Sequence, residues 1–392
     1  MAISRLRAMA KINLNLHVLE QRKDGYHQIF SLMQAIALSD YILFQLSSEA
    51  RGGEERLLAE ESDFQAYLEM AGLADAVIDA KSYCYDRFTW SPAAIKGLSI
   101  DFAVYSPGIK LEAGGSNILS RLLEAYFHAM PESMRSLLLG QRMELLLLKM
   151  IPSEAGLGGA SADAAALLWE LNRRFPYMGR SELLKFASEI GADIPFCMQG
   201  GTAICEGIGE KLRVQMASSR IPCLILKPHF SVSTAQAYAK IDLERSKHGP
   251  QVAQQSFMSS KLAAMSFVES WQEYYQLWRK HYGRASLDDS LLAPYRLAHE
   301  ADYRAELDLL SKRLYAYGSN DFYNLISRED RAWRNLNEAL AKSSAFYSAM
   351  TGSGSAFFAL FNTRAERDLA YEYFLREREK FHLLALFQTW TS

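Results

Sequence analysis

The stretch from Ile151 to Arg174, IPSEAGLGGASADAAALLWELNRR, constrains this chain most tightly. Gly156, Gly158 and Gly159 fall within four residues, Ser161 follows, and the remainder is rich in alanine and leucine and helical in character. Glycines accept backbone conformations and close approaches that a Cβ forbids. Leading into a helix, they gather unpaired N–H groups and the positive end of the helix dipole at one point. That is an anion site, with phosphate as its usual guest. The plainer alternative is a tight strand-to-helix turn whose glycines serve packing. Three glycines, a serine and an alanine-rich helix together favour phosphate. No Gly-Lys-Ser/Thr follows, so the loop is not of the Walker type, and no dinucleotide fingerprint fits the spacing. A basic side chain has to come from elsewhere or be absent.

The rest of the chain sets the frame. Its 392 residues allow roughly two to three domains. With 49% hydrophobic and 22% charged residues and a formal charge of -2, it is an ordinary folded chain with no field that points to nucleic acid or membrane. Cys84, Cys197, Cys205 and Cys223 are scattered, against a disulfide framework or zinc site and in keeping with a reducing cytosol. No apolar run suits a signal peptide, and MELLLLKMI is too short to span a bilayer, so the expected location is cytoplasmic.

Period-two alternation in AKINLNLHVL puts Ile12, Leu14, Leu16 and Val18 on one face of a strand. Lys11, Asn13, Asn15 and His17 occupy the other face, functional or solvated. RKDGYH reads as a turn through Asp24-Gly25, and IFSLMQAIALSDYILFQLS as strand. GLSIDFAVYS and MELLLLKMI are strand candidates flanking a helix capped by Asn117, with Leu119, Leu122, Leu123 and Tyr126 at helical spacing. Helices are expected over about 162–174 and 181–190, a turn at GADIPF, then strands over GGTAICEG, EKLRVQ and CLILKPH. YSAMTGSGSAFFALF reads as strand, glycine turn, strand, with a last helix over about 364–378. The blocks 47–97 and 243–315 are helix-prone and carry no motif. Strands and helices alternate without a regular βαβ beat, which favours α+β.

PSEAGLGGASADAA resembles the phosphate-binding loop of the GHMP kinases. AKINLNL with DGYH, IGADIPF, GIGEKL and TGSGSAFFALF stand in the order found in the branch that phosphorylates 4-diphosphocytidyl-2-C-methyl-D-erythritol. The resemblance implies a two-domain GHMP kinase fold of α+β class. A ribosomal protein S5 domain 2-like N-terminal domain would cover 1–218, and a ferredoxin-like α/β C-terminal domain 219–392. The blocks at about 47–97 and 243–315 become two helical insertions, whose aromatic run SWQEYYQLWRKHY could cover the site, form a dimer contact or pack on the core.

The resemblance also implies an ATP- and Mg2+-dependent kinase that phosphorylates the 2-hydroxyl of the cytidyl substrate in the non-mevalonate isoprenoid route. Lys11, locally no more than a strand lysine, maps to the catalytic lysine, and Asp193, locally a turn former, to the general base. Pro152, Ser153, Glu154, Ala155, Gly156, Leu157, Gly158, Gly159, Ala160, Ser161 and Ala162 would hold ATP. Ala160 and Ala162 depart from the family's Gly and Ser. Magnesium is expected on the nucleotide, with no protein ligand named; Asp163 is as good a helix-dipole partner as a metal contact. Asn13, Tyr26, His27, Thr234 and Tyr238 would bind substrate, Tyr26 and Tyr238 stacking on cytosine and His27 reading its edge. TGSGS is either a hairpin turn or a second glycine loop lining the site. Another alcohol of the mevalonate or homoserine kind, or a catalytically silent binding protein, are the alternatives.

Overall fold

The computed structural model describes residues 3–48, 57, 64–72, 83–90, 92–93, 98–107, 117–216, 220–247, 250–282 and 293–392; parts of the blocks 47–97 and 243–315 lie outside these. In chain order come β1 (Ser4–Gln21), β2 (His27–Ser48), α1 (Phe64–Met70), β3 (Tyr83–Trp90), β4 (Ser99–Pro107), α2 (Ile118–Ala129), α3 (Glu132–Arg135) and β5 (Gln141–Leu148). Then follow α4 (Gly159–Arg174), α5 (Arg180–Ile190), α6 (Ile194–Gln199), β6 (Thr202–Glu206), β7 (Lys211–Met216), β8 (Pro222–Pro228) and α7 (Thr234–Ser246). The chain closes with α8 (Pro250–His281), α9 (Ala293–Tyr317), α10 (Asp321–Glu329), α11 (Arg331–Ala341), β9 (Tyr347–Met350), β10 (Phe357–Leu360), α12 (Arg364–Arg376) and β11 (Leu383–Trp390). It divides into two compact units, one of Met1–Ala10, Leu38–Pro152 and Gly158–Gln199, the other of Lys11–Ala37, Ser153–Leu157 and Gly200–Ser392.

In the first unit β3 pairs antiparallel with β4, β4 parallel with β5, and β5 antiparallel with residues 41–48 of β2. Alternation sends Ile42, Phe44, Leu145 and Leu147 to one face, where they pack with Leu119, Leu122, Leu123 and Tyr126 of α2 and with Leu167, Leu168 and Leu171 of α4. Leu43, Leu146 and Leu148 point to the other face, against Tyr67 and Leu68 of α1. Both faces of β5 are thus buried, which is why its sequence is a continuous apolar run. Each such side chain contributes roughly 1.5–3 kcal/mol of hydrophobic burial. The expected cap holds, with Asn117 Oδ1 accepting from Leu119 N at 2.9 Å.

GADIPF is not only a turn. It starts α6, with the Asp193 carbonyl accepting from Cys197 N at 3.0 Å. Pro195 lies in that helix's first turn, where its missing N–H leaves nothing unsatisfied.

In the second unit β6 pairs with residues 31–34 of β2 and with β7. A separate antiparallel sheet has the order β11-β8-β10-β9. β11 was not signalled by the sequence; it is an edge strand of mixed burial, so its alternation is weak. The aromatic run of α8 packs inward: Trp271, Tyr274 and Trp278 are buried, Tyr274 stacks on Phe346 at 4.1 Å, and its hydroxyl donates to Asn362 Oδ1 at 2.6 Å. Among the described residues no helix is long and apolar enough to cross a membrane.

Candidate active site

The polar face of β1 is not solvated. Lys11, Asn13, Asn15 and His17 are all buried, Lys11 to 4% exposure. Lys11 Nζ donates to Asn13 Oδ1 at 2.7 Å. Asn13 in turn donates through Nδ2 to Ser31 Oγ at 2.8 Å and through its backbone N–H to Thr351 Oγ1 at 2.9 Å. The Thr351 hydroxyl donates to the Gly156 carbonyl at 3.2 Å, and Lys11 N–H to the Leu157 carbonyl at 2.9 Å.

The two glycine loops therefore meet backbone to backbone in the second unit. Gly156 has φ +74°, and a Cβ there would lie 2.2 Å from the Thr351 carbonyl oxygen. A Cβ on Gly352 would lie 2.9 Å from the Gly156 Cα. At Gly156, then, the side chain is excluded by TGSGS, which makes the TGSGS segment a packing partner of the first loop as well as a turn between β9 and β10. Lys227, at the end of β8, donates from Nζ to Ser355 Oγ at 2.5 Å and to the Pro228 carbonyl at 3.2 Å. Burial holds its ammonium below the usual lysine range, while the Glu154 charge works to raise it.

In the first unit the loop enters α4, sixteen residues long, through Gly158 at φ 71° with no side-chain cap. An uncapped helix start behind a glycine loop leaves its first N–H groups directed outward, the geometry that holds phosphate. Behind it lies an ion cluster that the sequence reading missed. Lys149 Nζ donates to Asp40 Oδ2 and, at 2.6 Å, to Asp163 Oδ2. Asp40 Oδ1 also accepts from Ile151 N at 2.7 Å. Burial works to lower the Lys149 pKa, but the charges of Asp163 and Asp40 overcome it and raise it above the usual range. Burial pushes the Asp163 carboxyl up, against the pull of Lys149. The signal for this cluster was Asp40 alone within the apolar run IALSDYILF, and a lysine just ahead of the loop. Asp193, at the start of α6, is partly exposed. Ala160 and Ser161 lie in the first turn of α4, and Ala162 is buried beneath it.

The remaining candidates gather in the second unit. Gly25 at φ 86° turns the chain, and Arg22 N donates to the Tyr26 carbonyl at 2.7 Å. Tyr26 is 62% exposed, whereas His27 is buried. The His27 ring stacks on Tyr238 at 5.0 Å and 21° and places Nε2 2.7 Å from Asp242 Oδ1. Tyr238 also meets Phe322 edge-on at 4.9 Å. Thr234 opens α7 with Oγ1 2.9 Å from Ser353 Oγ of the second glycine loop. Among the described residues no group of three or more His, Cys, Asp or Glu side chains gathers around a metal position.

Comparisons with known proteins bear on the family and the fold. The family models for the GHMP kinases N terminal domain and the GHMP kinases C terminal match residues 117–201 and 306–380. Two curated relatives, from Caldicellulosiruptor saccharolyticus and Caldicellulosiruptor bescii, are named 4-diphosphocytidyl-2-C-methyl-D-erythritol kinase. Each is 32% identical, over 62% and 63% of this chain, and the chain spans 65% and 67% of their lengths. A relative of the same name from Caldanaerobacter subterraneus subsp. tengcongensis is 26% identical over 93% of this chain and 92% of its own. Among solved structures, a 4-(cytidine 5'-diphospho)-2C-methyl-D-erythritol kinase superposes with a TM-score of 0.56 at 20% identity, covering 99% of this chain and 100% of that one. A homoserine kinase from Cytophaga hutchinsonii does so at 0.57 and 15% identity over 99% and 95%, so the fold likeness does not distinguish between alcohols. With both family models matched in order and a relative 32% identical across 67% of its own length, the chain belongs to the GHMP kinase family.

Proposed function

We propose that the chain transfers the γ-phosphate of ATP to the 2-hydroxyl of 4-diphosphocytidyl-2-C-methyl-D-erythritol, in the cytoplasm, as a step of the non-mevalonate route to isoprenoid precursors. The observation that carries this is the buried His27 ring stacked on Tyr238. A stacked aromatic platform with a ring nitrogen at its edge suits a nucleobase, and an enzyme for a small aliphatic alcohol has no use for one.

The loop from Pro152 to Ala162 holds the triphosphate, with Gly158, Gly159, Ala160 and Ser161 presenting the start of α4. Glu154 and Ala155 are fixed from behind by the end of the second glycine loop and the residue after it, Ser355 N donating to the Glu154 carbonyl at 3.4 Å and Ala356 N to the Ala155 carbonyl at 3.1 Å. The phosphates would chiefly hold Mg2+, an ion that keeps its waters and takes few protein carboxylates, and it would supply neutralisation of their charge.

Lys11, kept in place by Asn13, sets an ammonium beside the acceptor hydroxyl and the γ-phosphate, where negative charge grows in the transition state. Asp193 takes the hydroxyl proton. Phosphoryl transfer needs little more than positioning and charge, so two fixed ions suffice. Tyr26 and Tyr238 supply rings for the base, His27 reads its edge, and Asn13 and Thr234 give polar contacts to the substrate. In chain order the loop and Asp193 fall in a domain ending near 218, and the second glycine loop and Tyr238 in a domain over 219–392, whereas the compact units divide the loop, Ser153–Leu157 going with the second. Phosphoryl transfer from ATP to the cytidyl substrate, mevalonate and homoserine is the test. Transfer to the cytidyl substrate alone is expected; comparable rates with either of the others overturn the proposal.

A further inference from the structure

Helix α7 carries Thr234, Tyr238 and Asp242 at intervals of four, so all three lie on one face of it. Tyr238 gives the His27 ring a stacking surface, and Asp242, one turn on, meets the same ring at its Nε2. Phe322 closes on Tyr238 edge-on and holds the stack in its plane. The ring is therefore fixed in both plane and rotation.

We propose that Asp242 selects cytosine over uracil by fixing the tautomer of His27; this rests on the cytidyl reading above. An ionised carboxylate only accepts, so the 2.7 Å contact requires the proton on Nε2. In a neutral imidazole with Nε2 protonated, Nδ1 is an acceptor. Among the described residues Nδ1 has no hydrogen-bond partner of its own, which leaves it to the ligand. Cytosine presents an amino donor at its C4 edge where uracil presents a carbonyl acceptor. Nδ1 accepts from the first and faces a lone pair on the second. A partner left unpaired in this way costs about 10-fold or more in affinity. Asp242 touches no part of the base in this scheme. It is a positioning residue acting through His27, as carboxylates behind ligating histidines do elsewhere.

Calorimetric titration of the full chain with CMP and with UMP tests this, for the unaltered protein, Asp242→Asn and Asp242→Leu. The unaltered protein should prefer CMP by about 10-fold or more, and Asp242→Leu should lose most of that preference because the ring can then take either tautomer. Asp242→Asn, whose amide oxygen still accepts from Nε2, should keep a good part of it. ATP affinity should not change in either variant. Nitrogen-15 NMR of the unaltered protein should show His27 protonated at Nε2 and not at Nδ1. A preference retained in Asp242→Leu, or a protonated Nδ1, overturns the role of Asp242. Equal affinities for CMP and UMP in the unaltered protein overturn the cytidyl reading itself.

Discussion

Lys149 in the first unit and Lys227 in the second stand in matching places. Each ends an apolar strand region, each is buried, and each lies beside a glycine loop, Lys149 near Gly159 and Lys227 on Ser355. Burial works to lower the pKa of both. Lys149 nevertheless rises, because two carboxylates face it, whereas Lys227 falls, because its bonded partners are a hydroxyl and a carbonyl. A lysine's place next to a phosphate loop does not fix what its charge does; the groups bonded to it decide. Lys149 has its charge matched inside its own unit and acts as a peg between strand and helix. The charge of Lys227 is not matched in that way.

If this contrast is sound, Lys149→Met has the largest effect on stability. It strands buried Asp40 and Asp163 and should cost about 3–5 kcal/mol in denaturant unfolding, as breaking a buried ion pair does. Adding Asp163→Leu and Asp40→Asn should recover most of that, the asparagine oxygen still accepting from Ile151 N. Lys227→Met should cost less, since it loses two charge-assisted bonds, to Ser355 and to the Pro228 carbonyl, strands no carboxylate, and is relieved of a burial penalty. Equal losses for the two variants would remove the distinction.

The same division sharpens at the carboxylates. Asp163 is bonded to Lys149, so Asp163→Asn should appear in unfolding curves before it appears in turnover. Asp193→Asn should do the reverse, lowering kcat by at least ~100-fold with ATP affinity nearly unchanged, as for a lost general base. Near-normal turnover in that variant takes Asp193 out of the chemistry. Next in size is Gly156→Ala, whose methyl meets the Thr351 carbonyl at φ +74°. About 1–3 kcal/mol of stability should go, with the second loop displaced. An undisturbed Gly156→Ala protein would mean that the loops are not locked together.

How much of this was legible follows from how local each cause is. The strand β1, the cap at Asn117, the helix α4 and the glycine turn of Thr351–Ser355 announce themselves within a dozen residues, through period, capping chemistry or glycine. The solvated alternative for Lys11, Asn13, Asn15 and His17 could not be excluded that way, because burial of a polar face depends on what packs over it. α6 was hidden by Pro195, which reads as a turn unless it falls in a first helical turn. The Lys149 cluster draws Asp40 from 109 residues away, and Gly156 is occluded by a residue 195 further on. No window of sequence holds such pairs. Asp242 escaped for a different reason: one acidic residue on a helix looks like a solvated one until a histidine lies 2.7 Å from it.

The smallest effect, and the most direct test of the two lysines, is a slope with pH. The folded pKa of Lys227 is depressed, so the unfolded chain holds the proton more tightly below the ordinary lysine value of about 10.4. Folding then releases a proton in that window, and the burial penalty, fully present at low pH, is relieved as pH rises. Lys149 has the opposite sign: its contribution is fully present below about 10.4 and is lost only as pH climbs through its raised folded value. As pH rises towards about 10.4 the stability of the unaltered protein relative to Lys227→Met should therefore grow, by at most ~1.4 kcal/mol per pH unit. Titrating groups that do not face Lys227 cancel in this difference. Glu154 is the charge that holds Lys227 up, so Glu154→Gln should start the rise at lower pH. A flat Lys227 difference would mean that Glu154 already offsets the burial, and the two lysines would then be pegs of one kind.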